Sequence, residues 1–436
     1  MSRMVLQVRK RVSPMFSVFM ALAILLAGAL AVAPTTDVKA VSDQWELACS
    51  ESPSGTNNYL FGAAAHADDA VVAVGSKNVS GQYKPLIERW EAADGNNPPC
   101  FKEKSGPSVP LNSELYGVAR VPTASLSQRP FWAVGYQGAT SRVWDEEIGD
   151  WVVGGSAQTL IEYSADGGQT WTIVPSPNIP GVPNVLKSVS ARSVDDAWAV
   201  GYYGTVGTIR TLILRWNGTS WSIVPSPNRL DALDNYLHGV SIVDKDYVWA
   251  VGFTRHPTTQ YRYRNLILRW NGTLWSEVPS PDPSLYWNYL FAVTGISDVR
   301  AHAVGSYLPD LSAKDSQALW WNGTQWLWEQ TPSPGAGANV FYGTAHVDAN
   351  YVWAVGSAED PPHRTLTARR VNGVWYHVAS PNASTGANEL RAVTVVPGTS
   401  PCAGGNNWAV GYYVNGSAVH TLAMRYHISA VCDLTP

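Results

Sequence analysis

Hydrolysis of a glycosidic bond ordinarily needs two carboxylates flanking the bond, and one stretch of the sequence concentrates acids: Trp144-Asp145-Glu146-Glu147, followed by Asp150-Trp151. A second stretch, Tyr261-Arg262-Tyr263-Arg264, with Tyr286-Trp287 downstream, offers rings and guanidinium groups instead. Rings beside arginine suit the face of a sugar or a protein partner, because they supply rigid contact area at small entropic cost. Metal chemistry has little to work with. The nine histidines are scattered, and the four cysteines, Cys49, Cys100, Cys402 and Cys432, contain no Cys-x-x-Cys pair. No catalytic residue, metal or cofactor is therefore assigned. Trp144, Trp151, Tyr261, Arg262, Tyr263, Arg264, Tyr286 and Trp287 are the candidate ligand contacts, and the acids of the 144–151 stretch carry the enzymatic alternative.

The elements that must position these residues are strands. Trp198-Ala199-Val200-Gly201 alternates large and small side chains, as a strand does when one face packs a ring and the other admits a close neighbour. Thr211 to Trp216 is β-branched and apolar and too short for an ordinary helix. Asn217-Gly218 then predicts a type I′ hairpin turn, Trp221 to Val224 returns, and Pro225 and Pro227 stop it. With Leu186 to Ser190 upstream this makes a four-stranded unit, strands a to d. Aligned on strand b, the unit recurs at Val72, Trp132, Trp198, Trp249, His302, Trp353 and Trp408, at spacings of 60, 66, 51, 53, 51 and 55 residues. Such spacings belong to propellers. An Asn precedes each strand a (Asn58, Asn112, Asn184, Asn235, Asn288, Asn339 and Asn388) and reads as a turn cap.

The ends of the chain predict how the ring closes. Gln44 to Cys49 matches strand d yet precedes the first strand a, whereas the seventh unit stops at strand c, Thr421 to Tyr426. The expected fold is an all-β, seven-bladed β-propeller of four-stranded antiparallel blades, with the N-terminal strand completing the last blade and leaving no open edge. Residues 41–436 form the propeller. Residues 1–40 read as a signal peptide, or else as an N-terminal membrane anchor, from basic Arg3 to Arg11 and the apolar run Phe16 to Ala33. That segment holds five basic residues and one acid of the totals of 30 and 34, so the remainder carries about −8, which argues against a nucleic-acid partner. Outside the cytoplasm four cysteines imply two disulfides. Cys49–Cys432 across the seam with Cys100–Cys402 is the expected pairing, and a bond between Cys402 and Cys432 the alternative.

The hairpin Ser164-Ala165-Asp166-Gly167-Gly168-Gln169-Thr170-Trp171 resembles the Asp-box of the BNR repeat family, Ser-x-Asp-x-Gly-x-Thr-Trp, and other units carry a shortened Arg-Trp-Asn-Gly-Thr-x-Trp form. The chain is similar to secreted bacterial propellers of this type. The resemblance implies that Ser164, Asp166, Gly168 and Trp171 are structural. It does not fix an activity, since sialidases, other glycosidases and non-enzymatic receptors share the motif. Sialidases also carry an arginine in a Phe/Tyr-Arg-Ile-Pro motif, and Ala119-Arg120-Val121-Pro122 departs from it. The expectation is a monomeric, non-catalytic, extracellular binding propeller that recognises a glycan or protein through aromatic loops on one face. A carbohydrate-active enzyme and an envelope scaffold are the alternatives.

Overall fold

In a computed structural model of the chain, residues 44–428 are described, apart from 54, 56, 96, 111, 124–127, 146, 149, 259–261, 311–312, 361 and 400–404. The N-terminal segment, Cys402 and Cys432 lie outside the described residues. Seven four-stranded antiparallel sheets and one two-stranded hairpin make up the architecture, and no helix occurs among the described residues. Blades 1 to 6 begin at Asn58, Glu114, Asn184, Asp234, Trp287 and Asn339, and blade 7 at Asn388. Trp45–Ala48 pairs with strand c of blade 7, Trp45 opposite Tyr426 and Ala48 opposite Ala423, so the chain start supplies the outer strand of the last blade.

Interlocked indoles join the blades. The strand b tryptophan of one blade enters the outer hairpin of the next: Trp132 meets Trp216 and Trp221, Trp198 meets Trp270 and Trp275, and Trp249 meets Trp321 and Trp326, with centroids 4.9–5.2 Å apart. Trp353 packs on Trp45 and Tyr426, and Trp408 on Trp90 and Phe101, carrying the pattern across the seam. Edge-to-face pairs of this kind contribute roughly 0.5–1.5 kcal/mol each beyond area burial. Blade 5 departs from the pattern. His302 takes the tryptophan position, and the facing site on blade 6 holds Arg370, ion-paired with Glu329 at 2.6 Å.

Two sequence expectations need correcting. Asn217-Gly218 does not form a type I′ turn: Gly218 has positive φ but Asn217 does not, and Trp216 pairs with Trp221 across a four-residue loop. The Asn217 Oδ1 instead accepts the N–H groups of Thr219 and Ser220 at 3.0 and 2.9 Å, and Asn271 and Asn322 act alike. Asn372-Gly373, with φ of 49° and 93°, does link its strands as a two-residue turn with both φ positive, as Ser80-Gly81, with φ of 55° and 84°, does between strands b and c of blade 1. In the Asp-box the Asp166 carboxylate accepts the Ser164 hydroxyl and the N–H groups of Gln169 and Thr170, folding the turn onto itself.

The second correction concerns the seam. Cys49 is bonded to Cys100, which excludes both Cys49–Cys432 and Cys100–Cys402. The reason is the parallel approach of two outer strands: Phe101 donates its N–H to the Cys49 carbonyl at 2.9 Å, which places Cys100 beside the residue that follows the closing strand. The bond therefore still locks the ring where first and last blades meet. A disulfide points to an extracytoplasmic environment. Among the described residues, no helix is long and apolar enough to cross a membrane.

Candidate functional site

Every strand a carries a β-bulge at the same place. In blade 1, Leu60 faces Gly75 and Gly62 faces Val74, so Phe61 has no partner across the ladder. The same shift leaves Tyr116, Lys187, His238, Phe291, Tyr342 and Arg391 as the extra residues of blades 2 to 7. A bulge re-aims a side chain, and these seven together line one cavity on the propeller axis. The bulge also explains the glycine that ends Trp-Ala-Val-Gly. A Cβ at Gly75 would stand 1.9 Å from the Tyr59 carbonyl oxygen, and at Gly201 2.0 Å from that of Val185, because strand a lies directly over it.

The axial residues were not singled out in the sequence, although a signal exists. The segments Asn-Tyr-Leu-Phe-Gly, Asn-Val-Leu-Lys-Ser, Asn-Tyr-Leu-His-Gly and Asn-Glu-Leu-Arg-Ala keep the Asn, a large apolar residue and a small residue, while the position between the last two varies freely. The constant Asn serves structure. In blades 3 to 7 its Oδ1 accepts a loop N–H at 2.8–2.9 Å from Ile179, Arg229, Ser284, Gly335 or Ala383. In blade 2 the register places Ser113, not Asn112, at this position.

The two-stranded hairpin, Ser141–Asp145 with Asp150–Gly154, is the insertion of blade 2 and covers the axis. It lies on the top face, where the b–c and d–a loops emerge. Asp150 reaches the ring: one carboxylate oxygen accepts Lys187 Nζ at 2.6 Å and lies 3.2 Å from His238 Nε2. Burial pushes the Asp150 carboxyl up, but the charge of Lys187 and the His238 contact outweigh it and hold the group well below the ordinary carboxylate range. Burial also lowers the Lys187 ammonium and the His238 imidazole, against the pull of Asp150. Arg391 pairs with Glu389 and stacks 4.0 Å above the Tyr342 ring.

Glu147 makes the second attachment. Its carboxylate accepts the Tyr263 hydroxyl at 2.8 Å and lies 2.9 Å from Arg262, while its carbonyl oxygen accepts Tyr289 Oη at 2.9 Å and Lys314 Nζ at 2.7 Å. Burial lowers the Lys314 ammonium to about 8. Between the two acids, Ile148 is buried in the aromatic cluster that includes Tyr202, Tyr236, Phe253 and Tyr289. At the hairpin's root, Arg142 pairs with buried Glu114 at 2.8 Å and sits 3.8 Å over the Trp151 ring.

The eight candidate contacts fall into three groups. Trp144 and Trp151 pair edge to face at 5.2 Å, with Trp144 38% exposed and Trp151 half-buried. Tyr263, with Trp287 against it at 5.9 Å, is joined to the hairpin through Glu147, and Arg262 shares that acid. Arg264 and Tyr286 are half-buried, the Tyr286 carbonyl accepting the Tyr263 N–H at 3.3 Å, and Tyr261 lies outside the described residues. Tyr263 is fully buried, so it cannot be the surface contact that the sequence suggested. The rings around it fold over the hairpin rather than forming an open platform.

An open surface remains beside the hairpin. Val143, Trp144, Val152 and Val153 form a cleft of about 550 Å³ with Thr205 and Val206 of the blade 3 loop. Val143 is 63% and Val206 54% exposed. Its polar groups are few, and Asp145 Oδ1 already accepts the N–H groups of Glu147 and Ile148. The hairpin strands pair only with each other, so among the described residues each keeps one edge unpaired. Among the described residues, no group of three His, Cys, Asp or Glu side chains is placed to hold a metal.

No protein-family model and no curated protein matches the chain. Solved structures do. YCF48 bound to a D1 peptide is 13% identical over 88% of this chain and 97% of that one, with a TM-score of 0.49. An α-L-arabinofuranosidase of Fusarium graminearum in complex with an iminosugar inhibitor is 12% identical over 73% and 94%, with a TM-score of 0.43. The sialidase of Trypanosoma rangeli is 9% identical over 88% and 55%, with a TM-score of 0.42. At these values the likenesses carry no argument about this chain, and its seven-bladed β-propeller rests on its own seven four-stranded sheets.

Proposed function

We propose that the protein is a secreted, non-catalytic binding propeller whose top-face cleft beside the blade 2 hairpin receives an extended segment of a protein partner. The observation that carries this reading is the cleft's lining of exposed Val143, Trp144 and Val206 next to an unpaired strand edge. Solvent-facing apolar side chains of this kind mark contact sites, and a free edge can take an added strand while pockets beside it read alternate side chains. A sugar would need several convergent hydrogen-bonding groups, and the one carboxylate here is already engaged. Catalysis by the insertion is disfavoured because Glu147 and Asp150 are both tied into ion pairs, with Arg262 of blade 4 and Lys187 of blade 3.

The test is selection of displayed random decapeptides on the intact protein, followed by affinity measurements. Enriched peptides should bind the Trp144→Ser variant at least about tenfold more weakly, equivalent to 1.4 kcal/mol, with an unchanged melting temperature. Failure to enrich any peptide, together with binding on a glycan array, would show that the partner class is wrong. Turnover of chromogenic glycosides would overturn the non-catalytic reading.

A further inference from the structure

Four basic side chains from four different blades, Lys187, Arg262, Lys314 and Arg391, together with His238, surround a segment that blade 2 alone contributes. The segment meets them as a bound ligand would. Two carboxylates, Asp150 and Glu147, engage two separate sets of donors, and one aliphatic side chain, Ile148, fills the apolar space between. The attachment combines ion pairs and hydrogen bonds with the burial of Ile148 and Val153 in the aromatic cluster, while the outward side of the hairpin stays in solvent at Val143 and Trp144.

Three further observations suggest that the hairpin can leave. It joins no blade sheet. Gly138 and Gly155, with φ of 71° and 79°, stand at its two roots, where the backbone can reorient without a side-chain penalty. Beneath the ring the axis holds a cavity of about 190 Å³, and His238, which lines it with a side chain 8% exposed, has an Nδ1 with no hydrogen-bond partner among the described residues. A plug needed only to fill the axis could be apolar. Burying Lys187 and Asp150 instead costs desolvation that an apolar pair would avoid.

We propose that the axial recess is a docking site for an acidic turn of a partner protein, two carboxylates flanking one aliphatic side chain, and that the blade 2 hairpin occupies it in cis. The partner competes with the hairpin rather than adding to it. This site is distinct from the cleft around Trp144 and Val206 and does not depend on it.

The probe is a capped synthetic peptide of residues 143–152, read by fluorescence anisotropy against the full chain. In the Glu147→Gln/Asp150→Asn variant the internal competitor is weakened, so the peptide should bind at least about tenfold more tightly than to the unaltered protein. A peptide with Asn and Gln in place of its acids should not bind. No binding to the folded variant, or equal binding of the neutral peptide, would overturn the proposal. Concentration-dependent dimerisation of the variant would assign the recess to a second copy of this chain and overturn the partner's identity. Should the variant fail to fold, hydrogen exchange on the unaltered protein decides. Amides of 141–154 should exchange at least tenfold faster than those of the strand b segments, whereas exchange only with global unfolding would show a fixed plug.

Discussion

Strand c of each blade sends one side chain toward its neighbour from a position opposite a strand b alanine. Leu214, Leu268, Leu319, Ala368 and Met424 hold it in blades 3 to 7, whereas blades 1 and 2 hold Glu88 and Glu162. Glu88 accepts the Ser50 hydroxyl at 2.5 Å, but both Glu162 oxygens are buried without a hydrogen-bond partner among the described residues. Burial pushes the Glu162 carboxyl up to about 8 from its ordinary 4.5. An acid raised in this way makes the folded state bind more protons than the unfolded chain between those two values, so stability is full below pH 4.5 and falls as pH rises toward 8. At 1.36 kcal/mol per pH unit the loss approaches about 5 kcal/mol. Glu162→Gln, a neutral isostere, should match the parent near pH 4.5 and exceed it progressively, by up to about 5 kcal/mol at pH 8. Urea denaturation of both proteins at half-unit pH steps measures the gap, with equal m-values required. A gap that does not widen with pH, or a Gln variant less stable at pH 8, would refute the burial argument.

Other consequences can be measured in the same way. Asp150→Ala strands Lys187, whose side chain is 5% exposed, and should cost about 3–5 kcal/mol; adding Lys187→Met should recover most of it. If the hairpin can leave the recess, the loss stops at its opening free energy. Reduction of Cys49–Cys100 opens a loop of 51 residues and should cost about 4 kcal/mol in the chain-entropy account, readable as a drop in the urea midpoint. Tyr263→Phe removes the hydroxyl that reaches Glu147 and should speed hydrogen exchange in 141–154 while leaving strand b protection unchanged.

The blades were legible because they repeat. Trp-Ala-Val-Gly fixes strand b, and the displaced strand at Trp45 announces closure before any coordinate is known. The site was less legible, for two physical reasons. A bulge shifts register by one residue without changing the apolar pattern, so Lys187, His238 and Arg391 read as ordinary strand residues until the ladder shows that they have no partner. The hairpin's targets are also remote in sequence. Glu147 meets Tyr263 116 residues away, and Asp150 meets His238 88 residues away. Trp144, Trp151 and Trp287 read as loop residues but stand on strands, the first two in the hairpin and the third at the start of strand a of blade 5, and the sequence could not show that Tyr263 and Trp287 turn inward once an acidic segment lies across them. The cysteine pairing failed because the closing strand brings Cys49 beside the outer strand of blade 1, a neighbour relation that no spacing reveals.

The hydrogen-exchange footprint of a selected peptide on the intact protein tests the central claim, that partners dock beside the hairpin on the top face. Protection is predicted at 141–145, 152–154 and the 205–206 loop, with little change in the Asn-Gly hairpins on the opposite face. Protection confined to that opposite face, or spread evenly over the seven blades, would contradict it.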